Sequence, residues 1–210
     1  METNSHKGYD RLTPFYDYIS KLVFGKNIIL AGSACFDQIK LGDRVLIIGG
    51  GTGAILESLP SDFQGTVIYL DISKKMIERT KNRKNTKKYK IDYVCEDFIN
   101  FDSPHKFEVI VTPFFLDLFP LGEINSIFQK ISALLVVNGK WLVADFTMPT
   151  NNFFQKALIK IMYAFFKMTT HIKANDILDY KRMIMEQNYD LEKYKEFYSS
   201  MIFSAAFKKR

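Results

Sequence analysis

Short apolar runs rich in β-branched residues recur along the chain at 43–48 (Asp-Arg-Val-Leu-Ile-Ile), 65–70 (Gly-Thr-Val-Ile-Tyr-Leu), 90–95, 107–112 and 139–146, bounded by Gly, Asp or Pro. Stretches with helical spacing separate them near 53–59, 73–83 and 122–136. Strands alternating with helices imply repeated βα units and a parallel sheet. Ser73 precedes Lys74-Lys75-Met76-Ile77 and can cap the second helix, which fixes the end of the preceding strand near Asp71. Asn138-Gly139 reads as a turn that closes a helix and releases a strand. A long amphipathic helix is expected at roughly 152–169, with Phe154, Leu158, Ile161, Phe165 and Met168 on one face and a stripe of Lys156, Lys160, Tyr163 and Lys167 on the other. The final runs, Tyr189 to Ser200 and Met201 to Phe207, leave almost no room for a crossover helix and should pair antiparallel. Tyr9 to Gln38 reads as two helices rich in Tyr, Phe and Ile that could cap a pocket. The expected fold is therefore α/β: a doubly wound, mostly parallel seven-stranded sheet ending in an antiparallel hairpin, with amino-terminal helices over the pocket.

A chain of 210 residues is most naturally one domain, here a helical cap over 1–40 and an α/β core over 41–210. The 19 Phe raise the aromatic share to 15%, which favours a large core with an aromatic pocket. The apolar stretch Phe153 to Met168 is broken by Lys156, Lys160 and Lys167, so it cannot cross a bilayer without burying charge. Met1 to Asp10 lacks the apolar run of a secretory signal, so the expected address is cytoplasmic. Cys35 and Cys95 lie far apart without metal-ligand spacing; both are expected to be buried thiols, and no metal site is expected. The net charge of +6 comes largely from Lys74, Lys75, Arg79, Lys81, Arg83, Lys84, Lys87, Lys88 and Lys90. Such a run could attract an anionic partner or a membrane surface, but it equally describes a solvated helix end and loop.

The central chemical signal is Val45-Leu46-Ile47-Ile48-Gly49-Gly50-Gly51-Thr52-Gly53, an apolar strand running into a glycine loop that opens a helix. Glycines at such a point let backbone approach a ligand and supply φ values that side chains forbid. Gly49-x-Gly51-x-x-Ala54 also satisfies the looser fingerprint of nicotinamide and flavin enzymes, and Asp71, twenty positions beyond Gly51, suits ribose recognition in either class. Three features separate the classes. Glu96-Asp97-Phe98 follows the third strand and sets a carboxylate and a ring where an adenine could sit. Thr112-Pro113-Phe114-Phe115-Leu116-Asp117 follows the fourth, at the edge where open α/β sheets bind ligands. The antiparallel hairpin is foreign to the usual dinucleotide domain.

On these residues the chain resembles the class I S-adenosylmethionine-dependent methyltransferase family over roughly 40–207. Its opening, Tyr9-Asp10-Arg11-Leu12-Thr13-Pro14-Phe15-Tyr16-Asp17, is similar to the amino-terminal segment of quinone- and lipid-biosynthesis methyltransferases. The resemblance implies S-adenosylmethionine as cofactor, with Gly49, Gly51 and Gly53 along its methionine part, Asp71 on the ribose, Ile72 and Met76 bordering the adenine, and Asp97 with Phe98 at the adenine edge. Gly50, Thr52 and Pro113 complete the candidate cofactor-binding set. The chain departs from the family at Ile47, where Asp or Glu usually helps organise the cofactor's ammonium end; backbone carbonyls, water or another side chain must serve there instead.

Methyl transfer from a sulfonium is an in-line displacement in which the protein chiefly aligns the acceptor and, where needed, removes a proton. Tyr16, Asp117 and His171 are the candidate catalytic groups, although Tyr16 suits packing, Asp117 suits capping a helix start and His171 suits a structural role equally well. There is no Gly-x-Ser-x-Gly elbow, His-Glu-x-x-His helix, Cys-x-x-Cys pair or Walker loop. Thr112-Pro113-Phe114-Phe115 stands where methyltransferases of nucleic-acid bases resemble Asn/Asp-Pro-Pro-aromatic, but the amide or carboxylate and the second proline are missing, which argues against a nucleic-acid substrate. Phe114, Phe115 and Phe119 better suit a small apolar or aromatic molecule. A cofactor-binding protein without turnover and a nicotinamide-dependent oxidoreductase stay open as alternatives. Peripheral membrane contact, the acceptor atom and the oligomeric state also stay open.

Overall fold

Side chains alternate across the sheet so that each central strand feeds two cores. In β1 (Arg44–Ile48), Val45 and Ile47 face one side and Leu46 and Ile48 the other. The same division runs through β2 (Thr66–Asp71), β4 (Phe107–Pro113), β5 (Leu135–Phe146) and β7 (Ile202–Lys209). The computed structural model describes residues 24–147 and 177–210. With β3 (Lys90–Cys95) and β6 (Tyr189–Phe197), the strands form one seven-stranded sheet in the order β3-β2-β1-β4-β5-β7-β6. β1 to β5 pair in parallel, and β7 runs antiparallel to both β5 and β6. The expected mostly parallel sheet with an antiparallel terminal hairpin is therefore present.

Four α-helices are described: α1 (Asn27–Ser33), α2 (Lys74–Lys81), α3 (Leu121–Leu134) and α4 (Tyr180–Met185). α3 and α4 bury Ile124, Ile127, Phe128, Ile131, Tyr180 and Ile184 on the Leu46 face, while α2 lays Ile77 on the Ile47 face, so the sheet is covered on both sides. Ser73 caps α2 as expected: its hydroxyl accepts from Met76 N–H at 3.2 Å, a contact worth about 1 kcal/mol. α1 packs against a 3-10 turn at Ala54–Ser58, where a side chain on Gly32 would press on Ile55 and Pro113.

Several expectations need correction. The element expected at 53–59 is a five-residue 3-10 turn. α3 ends at Leu134 and β5 begins at Leu135, so Asn138-Gly139 interrupts a strand instead of ending a helix. Asn138 takes φ 60, and the pairing with β4 shifts between Phe107↔Leu135 and Val109↔Lys140, which makes the dipeptide a bulge in β5. Cys35 is buried beside Ser204, but Cys95, the last residue of edge strand β3, is exposed. The expected helix at 152–169 lies outside the described residues, as does the segment 9–17. Among the described residues no helix is long and apolar enough to cross a membrane.

Candidate active site

β1 and β2 deliver their chain ends to one edge of the sheet, where β1 runs into Gly49-Gly50-Gly51-Thr52-Gly53. Gly49, Gly51 and Gly53 have φ of 68°, 62° and 77°, which only glycine adopts without strain. Gly49 N–H donates to Leu70 O at 2.9 Å and ties the loop to β2. Asp71, at the end of β2 and 8% exposed, accepts from Gly51 N–H at 3.0 Å through Oδ2 and from Ser73 N–H at 2.9 Å through Oδ1. One carboxylate thus sets both the loop and the start of α2. Arg83 Nε donates to Thr52 O at 2.6 Å and its Nη1 pairs with Glu57, so one member of the basic run grips the loop. Lys74, Lys75, Lys81, Lys84, Lys87, Lys88 and Lys90 are exposed, in keeping with a solvated surface.

The other predicted cofactor residues divide by role. Met76 is 2% exposed, and Ile72 is half-buried with its carbonyl 3.7 Å from Cys95 Sγ. Asp97 shapes a turn: Oδ1 accepts from Ile99 N–H at 3.0 Å, and its carbonyl accepts from Asn100 and Phe101. Phe98 is a core residue, edge-on to Phe115 at 5.7 Å, and Phe115 lies against Gly49. The third-strand segment therefore reaches the glycine loop through an aromatic contact. Pro113 is buried at the end of β4.

Beyond Pro113 the chain turns sharply. Phe114 has φ 52, a strained backbone for a non-glycine residue, and its N–H donates to Ala144 O at 2.7 Å. Its ring meets Phe146 at 5.1 Å, Phe146 meets Phe24 at 5.4 Å, and Phe24 meets Tyr198 at 5.2 Å. Four rings form a wall where β4 and β5 end. The same two segments carry two buried acids. Asp145, fully buried in β5, accepts from Leu116 N–H at 2.9 Å and Phe146 N–H at 2.8 Å. Asp117 is 7% exposed in a 3-10 turn, Leu116–Leu118, and caps no helix; α3 has no side-chain cap. Burial pushes the Asp117 carboxyl up to about 7, and burial together with the Asp117 charge holds Asp145 well above the usual carboxylate range. Tyr16 and His171 lie outside the described residues.

Sequence reasoning missed Asp145, Phe24, Phe146 and Tyr198. A lone acid inside an apolar strand was the available signal for Asp145. The rings come together only through strand order, because Phe24 and Tyr198 are separated by most of the chain.

Residues 45–139, which span the loop, Asp71, Asp97 and both β4 and the start of β5, match the family model described as a methyltransferase domain. Over this stretch the chain resembles the methyltransferase domain family. The methyltransferase fold is also that of solved structures of low identity. N-methyltransferase NodS from Bradyrhizobium japonicum WM9, in complex with S-adenosyl-L-homocysteine, aligns with TM-score 0.68 at 14% identity, over 99% of each chain. Magnesium protoporphyrin IX methyltransferase from Synechocystis PCC 6803, also with S-adenosylhomocysteine bound, aligns with TM-score 0.68 at 12% identity, over 99% of this chain and 100% of that one. A putative methyltransferase of Haloferax volcanii, in complex with the Trm112 methyltransferase activator, gives 0.69 at 10% identity, over 96% and 97%. No curated protein matches this sequence.

Proposed function

We propose that this protein is a methyltransferase that binds S-adenosylmethionine at the loop formed by residues 49–53 and methylates a small apolar or aromatic molecule lying against Phe114, Phe146, Phe24 and Tyr198. The observation that carries the substrate class is that wall of four rings, set on the same sheet edge as the glycine loop and Asp71. Left-handed glycines beside a buried carboxylate fit a cofactor with a zwitterionic end and a ribose. The bound cofactor would supply a methyl group on a sulfonium. Asp71 would accept from ribose hydroxyls, Ile72 and Met76 would border the adenine, and Asp97 would bond its edge. Rings at the wall would exclude water and align the acceptor for in-line attack.

A nucleic-acid base fits less well. The Thr112 hydroxyl, the one polar side chain in the Thr-Pro-Phe-Phe segment, already accepts from the Trp141 indole N–H at 2.9 Å. A small-molecule acceptor agrees with these features.

Calorimetric titration with S-adenosylmethionine and S-adenosylhomocysteine, with NAD(H) and Asp71→Ala as controls, tests the cofactor. Micromolar binding that is lost in the variant is expected; tighter binding of NAD(H) would establish the oxidoreductase alternative. Transfer of a labelled methyl group to a panel of aromatic and isoprenoid acceptors tests the substrate class. Phe114→Ala should raise KM for the accepted compound at least several-fold, and cofactor binding without transfer to any acceptor would favour a protein without turnover.

A further inference from the structure

Ile47, two residues before Gly49, has no exposed surface and no polar side-chain atom, and its register partner on β2 is Tyr69. Tyr69 is also fully buried, yet its hydroxyl donates to Gly51 O at 3.1 Å. Thr80, from the buried face of α2, brings its hydroxyl to the same carbonyl at 3.1 Å, while also lying 2.9 Å from Met76 O. A carbonyl has two lone pairs and can accept both. Thr80 has a single proton, so its bond to Gly51 competes with the helical carbonyl, and the Tyr69 hydroxyl also meets the Thr80 side chain and the Gly53 backbone.

The glycines bear the imprint of these two side chains. Gly50 is the residue of the run 49–51 without a left-handed backbone, so φ does not require glycine there. A Cβ at Gly50 would fall 2.3 Å from the Tyr69 hydroxyl, and one at Gly53 would fall 2.3 Å from Thr80 Cγ2. Tyr69 and Thr80 occupy the space that side chains on the loop would need.

We propose that Tyr69 and Thr80 are positioning residues of the cofactor loop, holding Gly51 from β2 and α2 and thereby replacing any polar support from β1 at Ile47. The loop's orientation is then fixed from the strand that also carries Asp71, which takes Gly51 N–H at 3.0 Å. Both polar groups of the Gly51 residue are held by the β2–α2 unit. The cofactor part of this proposal rests on the function proposed above; the loop part does not.

The test uses the full chain with Tyr69→Phe, which removes one oxygen, and Thr80→Val, which replaces a hydroxyl by a methyl. Thr80→Ser is the rescue variant. Two readouts are taken: hydrogen exchange of the 49–53 amides without ligand, and S-adenosylhomocysteine affinity by calorimetry. Tyr69→Phe should speed loop exchange and weaken binding by about three- to tenfold, the size expected for one hydrogen bond. Thr80→Val should do the same, and Thr80→Ser should stay near wild type. Unchanged loop exchange in both Tyr69→Phe and Thr80→Val would overturn the proposal, as would acceleration spread evenly over the sheet amides. Faster loop exchange in a protein that binds neither S-adenosylhomocysteine nor S-adenosylmethionine would sustain the anchoring and defeat the cofactor reading alone.

Discussion

Replacing Asp117 by Asn should flatten the dependence of stability on pH. Asp117 is 7% exposed, and its carboxyl is pushed from 3.8 up to about 7 by burial. Below about pH 4 both the folded and the unfolded chain carry the proton, so the group does not oppose folding. As pH rises from about 4 to 7 the unfolded chain ionises while the folded one keeps its proton, and each pH unit costs about 1.4 kcal/mol of stability. The loss levels off above 7 at about 4 kcal/mol. Asp145 is shifted in the same direction and adds to the loss, partly because the Asp117 charge raises it. Asparagine at 117 is neutral throughout, so it removes the first contribution and reduces the second. Urea unfolding at pH 5, 6, 7 and 8 measures this directly. With a slope of about 2–3 kcal/mol/M, the Asp117 contribution alone should lower the wild-type midpoint by roughly 1 M across that range, and the midpoint of Asp117→Asn should fall by at least that much less. Groups elsewhere affect both proteins alike. An equally steep fall in the variant would refute the assignment of the buried proton to this pair.

The remaining predictions concern the loop and its rim. Cys95 is exposed next to Ile72 while Cys35 is 2% exposed, so maleimide should modify Cys95 alone in the folded protein, and saturating S-adenosylhomocysteine should slow that reaction; mass spectrometry after timed quenching reads both. Gly53→Ala combines φ 77 with a Cβ 2.3 Å from Thr80 Cγ2 and should cost about 2–4 kcal/mol in denaturant unfolding; a loss under 1 kcal/mol would mean that the loop yields freely.

The parallel strands were legible because their apolar runs are short, β-branched and bounded by turn residues; β3 was placed at its observed limits, 90–95. The antiparallel ending followed from the lack of room for a crossover between two runs. β5 was misread because Asn138-Gly139 has the chemistry of a turn, and a bulge uses the same left-handed residue inside a strand. At the site, the local motifs were readable and the pairings were not. Gly49 to Gly53 and Asp71 announce a loop and an acid, but the contact of Tyr69 with Gly51 depends on the register of β1 with β2, and that of Thr80 on which face α2 buries. Asp97 and Phe98 also carry structural roles that the sequence did not show, Asp97 shaping a turn and Phe98 packing in the core.

The buried acids connect stability with the ring wall proposed to face the acceptor. Asp145 holds Leu116 N–H and Phe146 N–H, one on the segment after β4 and the other at the end of β5. Phe114 and Phe146, the two rings at the centre of the wall, belong to the same two segments and touch at 5.1 Å. The carboxylate therefore latches together the backbones that carry the wall, from a position without exposed surface. Such a buried acceptor positions more firmly than a solvated one, because losing its partners would leave it unsatisfied in a low-dielectric interior. A second acid beside it raises the cost of ionising both, so the pair retains a proton across much of the acidic-to-neutral range. Alignment of the proposed apolar acceptor would draw on this rigidity more than on a solvent-facing base.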